Sequence, residues 1–144
     1  MKIAIAKLMI ATMMIDSDID ERENLFIRGI IQILGITDIE YDNLRSEATE
    51  IIDEDSFKAW TQPALDTLIE RQDHELSNLA VAIMMLVAYA DGEIKDVEDK
   101  LIQSTASILG IASPTWSDKV WIQNVIKKEV KSNIEKKFPN TDNE

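Results

Sequence analysis

"IAKLMIATMMIDSDIDERENLFIRGIIQILGI" (residues 5–36) lies without a gap over "AVAIMMLVAYADGEIKDVEDKLIQSTASILGI" (residues 80–111) when the chain is shifted by 75 positions. Met9 falls on Met84, Asp16 on Asp91, Ile19 on Ile94 and Glu23 on Glu98. Both windows close on "ILGI", at 33–36 and 108–111. Just past the window, Tyr41 falls on Trp116. Two amphipathic helices aligned by chance would share apolar positions but not polar identities at the turns. The chain therefore carries an internal duplication of one supersecondary unit.

Each unit reads as a helix, a short acidic turn, a second helix and a glycine. The first helices, about 2–15 and 74–90, are apolar almost all round, the pattern of central buried helices. The second helices, about 20–34 and 95–109, place apolar residues at helical spacing: Leu25, Phe26, Ile30, Ile33 and Leu34 in one, Leu101, Ile102, Ile108 and Leu109 in the other. Gly35 and Gly110 fit left-handed C-caps. Between the units, Thr37 to Glu40 reads as a capping box opening a helix over about 38–53. Another helix is expected over about 63–72, with Pro63 in its first turn and Trp60 anchoring the join. Ser113-Pro114 opens a last helix over about 114–136. No strand pattern competes. The expected fold is all-α, a single compact bundle of about seven helices built from two helical hairpins related by a pseudo-twofold axis. Residues 1–137 form the domain, and 138–144 form a flexible tail.

Composition narrows the function. The 144 residues are 45% apolar, with four Gly and three Pro, which suits a folded helical domain. No cysteine is present, so disulfides, thiolate zinc sites and cysteine nucleophiles are excluded. A net charge of −12 argues against nucleic acid as a partner. The charge is uneven: residues 117–139 hold six Lys against three acids. The N-terminal "MKIAIAKLMIATMMI" resembles the apolar core of a signal peptide, but Lys7 interrupts it and acids follow it. It is too short to span a bilayer. It reads as a core helix of a soluble protein that does not insert into membrane.

The two turns hold more acid than helix capping requires: Asp16, Asp18, Asp20, Glu21 and Glu23 in one, Asp91, Glu93, Asp96, Glu98 and Asp99 in the other. Two readings remain open. In the structural one, Asp91 bonds nearby amides, Gly92 turns the chain, Ile94 plugs the hairpin base and Glu98 reaches back to the cap amide. Asp20 and Glu23 form the corresponding box in the first copy. Lys95, which has no acceptor, would yield the cap to Asp96. In the functional reading, carboxylates gathered at one end of the bundle repel one another, and a hard divalent cation with oxygen ligands relieves that repulsion. "DSDIDERENLFI" (16–27) is not an EF-hand loop, because Glu21 stands where the loop needs Gly and Ile27 where it needs Glu.

At these residues the chain resembles the TerB-like family, the domain of tellurite-resistance proteins that is also similar to the N-terminal part of membrane-anchored DnaJ-type co-chaperones. The motif A-D-G-x-I-x-x-x-E is matched at Ala90, Asp91, Gly92, Ile94 and Glu98, and in the first copy at Asp16, Ile19 and Glu23. Ser17 replaces the glycine there. The resemblance covers about residues 1–127. It implies a bacterial, cytoplasmic, non-enzymatic stress-response domain that works with protein partners, some of them membrane-associated. It also implies binding of a divalent metal, calcium foremost, through Asp16, Glu23, Asp91 and Glu98. The alternative is a metal-free interaction or co-chaperone-like scaffold, with a homodimer among its forms. There the acidic turns only cap helices, and a surface near Val120, Trp121 and Val125 docks a partner.

The residues themselves carry no enzyme signature. His74, the only histidine, starts a helix and reads as a surface residue. No nucleophile elbow, Walker loop or dinucleotide fingerprint is present. Met9, Met13, Met14, Met84 and Met85 read as core filler rather than soft-metal ligands.

Overall fold

Thirteen residues with only one cationic side chain past the first turn, KIAIAKLMIATMM, form a helix on which five other helices among the described residues pack. The computed structural model describes residues 2–15, 21–89, 95–111, 132 and 134–136, the side chains of 21–24, 26 and 89 excepted. Within them lie α1 (Lys2–Met14), α2 (Glu21–Leu34), α3 (Asp38–Thr49), α4 (Glu54–Arg71), α5 (His74–Tyr89) and α6 (Asp96–Ile108), with further helical residues at 132 and 134–136. Among the described residues there is no strand. The fold is an all-α bundle.

In α1, residues 4–6 and 8–13 are all buried, so no face remains for solvent along most of its length. It packs against α2, α3, α4, α5 and α6. Helix α5 is nearly as apolar, with residues 83–88 buried in succession, and it is the other half of the core. Even the hydroxyl of Thr12, fully buried, is satisfied within its own helix by donating to the Leu8 carbonyl at 2.8 Å. Among the described residues no helix is long and apolar enough to cross a membrane.

The duplication is visible in which residues are buried. Helix α2 buries Ile27, Ile30 and Ile31, and α6 buries Ile102, Thr105 and Ala106, the same positions shifted by 75. This corrects part of the apolar face expected from spacing. Leu25 is 63% exposed and Ile108 49% exposed, whereas Ile27 and Ile31 are central. Leu25 lies two residues before Ile27, roughly 200° around the helix, and so points away once Ile27 faces α1. The ends match too. Gly35 (φ +78°) and Gly110 (φ +73°) take the left-handed conformation. The Ile36 amide donates to the Ile31 carbonyl at 3.1 Å, and the Ile111 amide to the Ala106 carbonyl at 2.8 Å. The Gly35 and Gly110 amides bond to Gln32 and Ser107. These paired bonds are the Schellman stop, with the buried Ile36 and Ile111 as its apolar closure.

Between the hairpins the expected boundaries shift. Thr37 and Glu40 form the expected capping box: the Glu40 amide donates to Thr37 Oγ1 at 3.1 Å, and the Thr37 amide to Glu40 Oε1 at 3.0 Å. Helix α3 stops at Thr49 rather than near 53, because Asp53 caps the next helix. Asp53 Oδ1 accepts from the Ser56 amide at 2.8 Å, while Ser56 Oγ accepts from the Asp53 amide at 3.1 Å. Helix α4 therefore starts at Glu54 and not near 63, and Pro63 is its tenth residue. Proline has no N–H to offer the Ala59 carbonyl, a loss an exposed helix tolerates better than a buried one. Pro63 is exposed. Trp60 ties the region together: its indole N–H donates to Glu47 Oε1 at 3.0 Å, and Lys7 Nζ reaches its carbonyl at 3.4 Å while lying 5.4 Å from the ring centre. The lysine that interrupts the apolar N-terminal run thus has a structural use.

At the C-terminus Ile134 is fully buried, and Lys136 lies 3.9 Å from Glu75 at the start of α5. Residues 112–131, including Trp116, Val120, Trp121 and Val125, lie outside the described residues.

Hydrogen bonds from the Ser56 backbone and then its side chain hold the Asp53 carboxyl below the ordinary aspartate range, and Thr37 does the same for Glu40. The folded state therefore binds these protons less readily than the unfolded chain. Stabilisation is present above the unfolded values and is lost as pH falls through the folded ones. Asp53→Asn should accordingly flatten the loss of stability between about pH 5 and pH 3, as followed by urea unfolding. At the α6 stop, no atom lies within 4 Å of a Cβ built on Gly110, so Gly110→Ala meets only backbone strain. It should cost about 1–2 kcal/mol in the same assay.

Candidate functional site

The acidic turn before α6 leads into a helix start built around one buried carboxylate. Lys95 is the N-cap, extended at φ −84° and ψ 154°, and its amide donates to Glu98 Oε1 at 3.2 Å. The Asp99 amide closes the first helical bond, to the Lys95 carbonyl at 3.0 Å. A lysine side chain cannot accept the return bond, so only the Glu98 half of the box operates. The expected transfer of the cap to Asp96 does not occur. A shift of one residue would move Glu98 out of the third helical position, from which its carboxylate reaches the cap amide. Glu98 is 1% exposed, whereas Asp96 is exposed and Asp99 half-buried. Three acids in this first turn also face the positive end of the helix.

Of the four candidate metal ligands, Glu98 has a described side chain. Glu23 is the third residue of α2, the position that Glu98 holds in α6, with its side chain outside the described residues. Asp16 and Asp91 lie outside the described residues, as do Asp18, Asp20 and Glu93. Among the described residues no group of three His, Asp or Glu side chains is placed to hold a metal ion. His74 is exposed as the first residue of α5, next to Asp73, whose carboxylate accepts from the Leu76 amide at 3.2 Å. Met9, Met13, Met84 and Met85 are buried within the core, as expected of filler.

Two features went unread in the sequence. One is Tyr41, which is 1% exposed and carries Arg28 at 5.0 Å and Arg45 at 5.8 Å from its ring centre, with Arg45 Nη1 donating to its hydroxyl at 3.1 Å. These contacts join α2 to α3 by cation–π attraction. The other is a pair of open hollows meeting at Ile15, Glu54 and Phe57. One, of about 590 Å³, lies at the α3–α4 join and is lined by Met14, Ile51 and Ile52 among others. The second, of about 640 Å³, runs between α4 and α6 over Leu8 of α1. The run "EIIDED" (50–55), with two isoleucines at a helix break, was the available signal.

An all-α bundle with glycine stops at matched positions of α2 and α6 and a capping glutamate at the start of α6 defines a helical module, with no catalytic constellation among the described residues. The TerB family, described as tellurite resistance protein TerB, matches residues 2–118, and the chain belongs to that family. No curated protein and no solved structure matches the chain.

If Glu98 acts as a buried cap, Glu98→Ala removes the acceptor for the Lys95 amide and leaves a gap beside Ile102. It should lower unfolding free energy by about 2 kcal/mol, and Glu98→Gln, which keeps an acceptor oxygen, by less.

Proposed function

We propose that this protein is a non-enzymatic module of tellurite-resistance-related stress response that acts by binding protein partners, with a hard divalent cation, calcium foremost, held by its acidic inter-helix turns. Membership of the TerB family over residues 2–118 is the observation that carries this reading. The chemistry of the turns supports the ion. Asp16, Glu23, Asp91 and Glu98 are hard oxygen donors, repeated at one spacing in the two copies, in a chain of net charge −12. The placement of Glu98 at the base of its turn suits a residue that ties ion binding to the start of α6. A cytoplasmic location suits a chain without cysteine.

A second, metal-free reading is favoured by Glu98 itself. Its Oε1 accepts from the Lys95 amide and its side chain is buried, so Oε1 caps the helix with no cation involved. In that reading the turns shape the fold, and the module acts through its surface alone.

Thermal unfolding of chelator-stripped protein with added Ca²⁺, Mg²⁺, Mn²⁺ or Zn²⁺ separates the two. An ion bound only by the folded state at a hundred times its Kd adds about 2.7 kcal/mol. The expected result is an ion-selective rise in midpoint that is lost in Asp16→Asn/Asp91→Asn. No rise at millimolar ion, in a protein otherwise folded, would leave the metal-free reading.

A further inference from the structure

The break between α3 and α4 exposes apolar side chains in a setting of one charge sign. Ile52 is 88% exposed, and Ile51 and Phe57 are half-buried beside it, lining the hollow of about 590 Å³ with Met14 and Ile15. Residues 47–55, "EATEIIDED", hold five acids and no base. Glu47, Glu50, Asp53, Glu54 and Asp55 are all exposed. The hollow continues past Phe57 into the channel between α4 and α6, where Leu65, Val97, Leu101 and Ile108 line an apolar path, with Lys58 and Lys100 at its sides. Lys58 lies 3.5 Å from Glu54, so its charge is already partly matched. Both α4 and α6 pack on α1, and Leu8 of α1 lines the channel between them.

Apolar side chains this exposed cost free energy in water unless something covers them. The acids at the α3–α4 end select the cover. An acidic or neutral apolar segment would gain the burial but would set its own charges against five carboxylates. A segment with an apolar face and Lys or Arg beside it gains both terms, and long basic side chains lay their methylene stems on apolar surface while keeping their charges outward. A channel between two helices accepts a third helix through side chains three and four residues apart.

We propose that the groove running from Ile52 past Phe57 to Ile108 is a docking site for a basic amphipathic helix of a partner protein, with its apolar side chains on Ile52 and Phe57 and its Lys or Arg residues against the 47–55 acids. The proposal rests on the partner half of the functional reading above and not on the cation. It gives that partner a chemical character.

The test uses the full chain, stripped of metal, so that failure of the ion reading leaves it untouched. A synthetic Leu/Lys amphipathic helical peptide is titrated calorimetrically, with its Leu/Glu counterpart as control. The expected result is saturable one-to-one binding of the Leu/Lys peptide, weakened by raising salt from about 50 to 500 mM, and none by the Leu/Glu peptide. Ile52→Ser, at a side chain too exposed to affect folding, should weaken binding about tenfold or more. Glu50→Lys should weaken it as well, while Ile39→Ser, at an exposed isoleucine outside the groove, should leave it unchanged. Equal binding by Ile52→Ser and the parent chain would overturn the groove while leaving a partner elsewhere on the module. Equal binding of both peptides would overturn the charge selection. Self-association of the chain, seen by sedimentation and abolished by Ile52→Ser, would assign the groove to a second copy and overturn the proposal too.

Discussion

The burial of α1 on all sides is the constraint on which the rest of the molecule depends. A helix that is apolar all round has no solvent face, so it is stable only when neighbours cover it completely. Helices α2 to α6 all reach it, and α5, buried almost as fully, forms its main apolar counterpart. Every covering helix therefore has one side fixed against α1, and the polar surface is what those helices turn outward. The two cations of α1, Lys2 and Lys7, are only half-buried, and Lys7 reaches the Trp60 carbonyl and lies over its ring. A buried helix of this kind also leaves little interior room for a polar active site. The buried hydroxyls of Thr12 and Thr61 bond to carbonyls of their own helices, and Glu98 bonds to its own cap.

Because the core is filled by the hairpins, chemistry available to a ligand moves to the ends and seams of the bundle. Two such places differ in kind. The acidic turns are repeated and carry the donors a hard cation would need, with Glu98 linking one of them to the buried face of α6. The α3–α4 seam is not repeated. It exists because Asp53 and Ser56 start α4 at Glu54 after α3 has ended at Thr49, leaving Ile51 and Ile52 in the four-residue break. Duplication explains the first place, and the single insertion of α3 and α4 between the two hairpins explains the second.

Glu98 shows how capping and burial reinforce each other. A carboxylate costs free energy to bury unless its oxygens find donors. The Lys95 amide is an orphan at a helix start and needs an acceptor. Placing Glu98 three residues after the cap and four before Ile102 gives the Lys95 amide its acceptor and gives Oε1 of the buried carboxylate a donor. That coupling also explains why a poor cap residue such as Lys95 is tolerated at this position.

The all-α class, the matched glycine stops of α2 and α6 and the Thr37–Glu40 box were legible in the sequence, because helical periodicity, left-handed glycine and capping chemistry are set by residues within a few positions of one another. The family motif was legible for the same reason. Tertiary structure decided which of several apolar residues face inward: Ile27 and Ile31 do, and Leu25 and Ile108 do not, since only the position of α1 fixes the rotation of α2 and α6. It also decided the α3–α4 boundary. Pro63 read as a helix start, yet the Asp53–Ser56 box upstream, together with the Lys7 and Glu47 contacts of Trp60, carries α4 through it. Local sequence determines what each segment prefers. Which preference prevails, and which apolar side chains remain at the surface to meet a partner, depends on contacts between residues far apart in the chain.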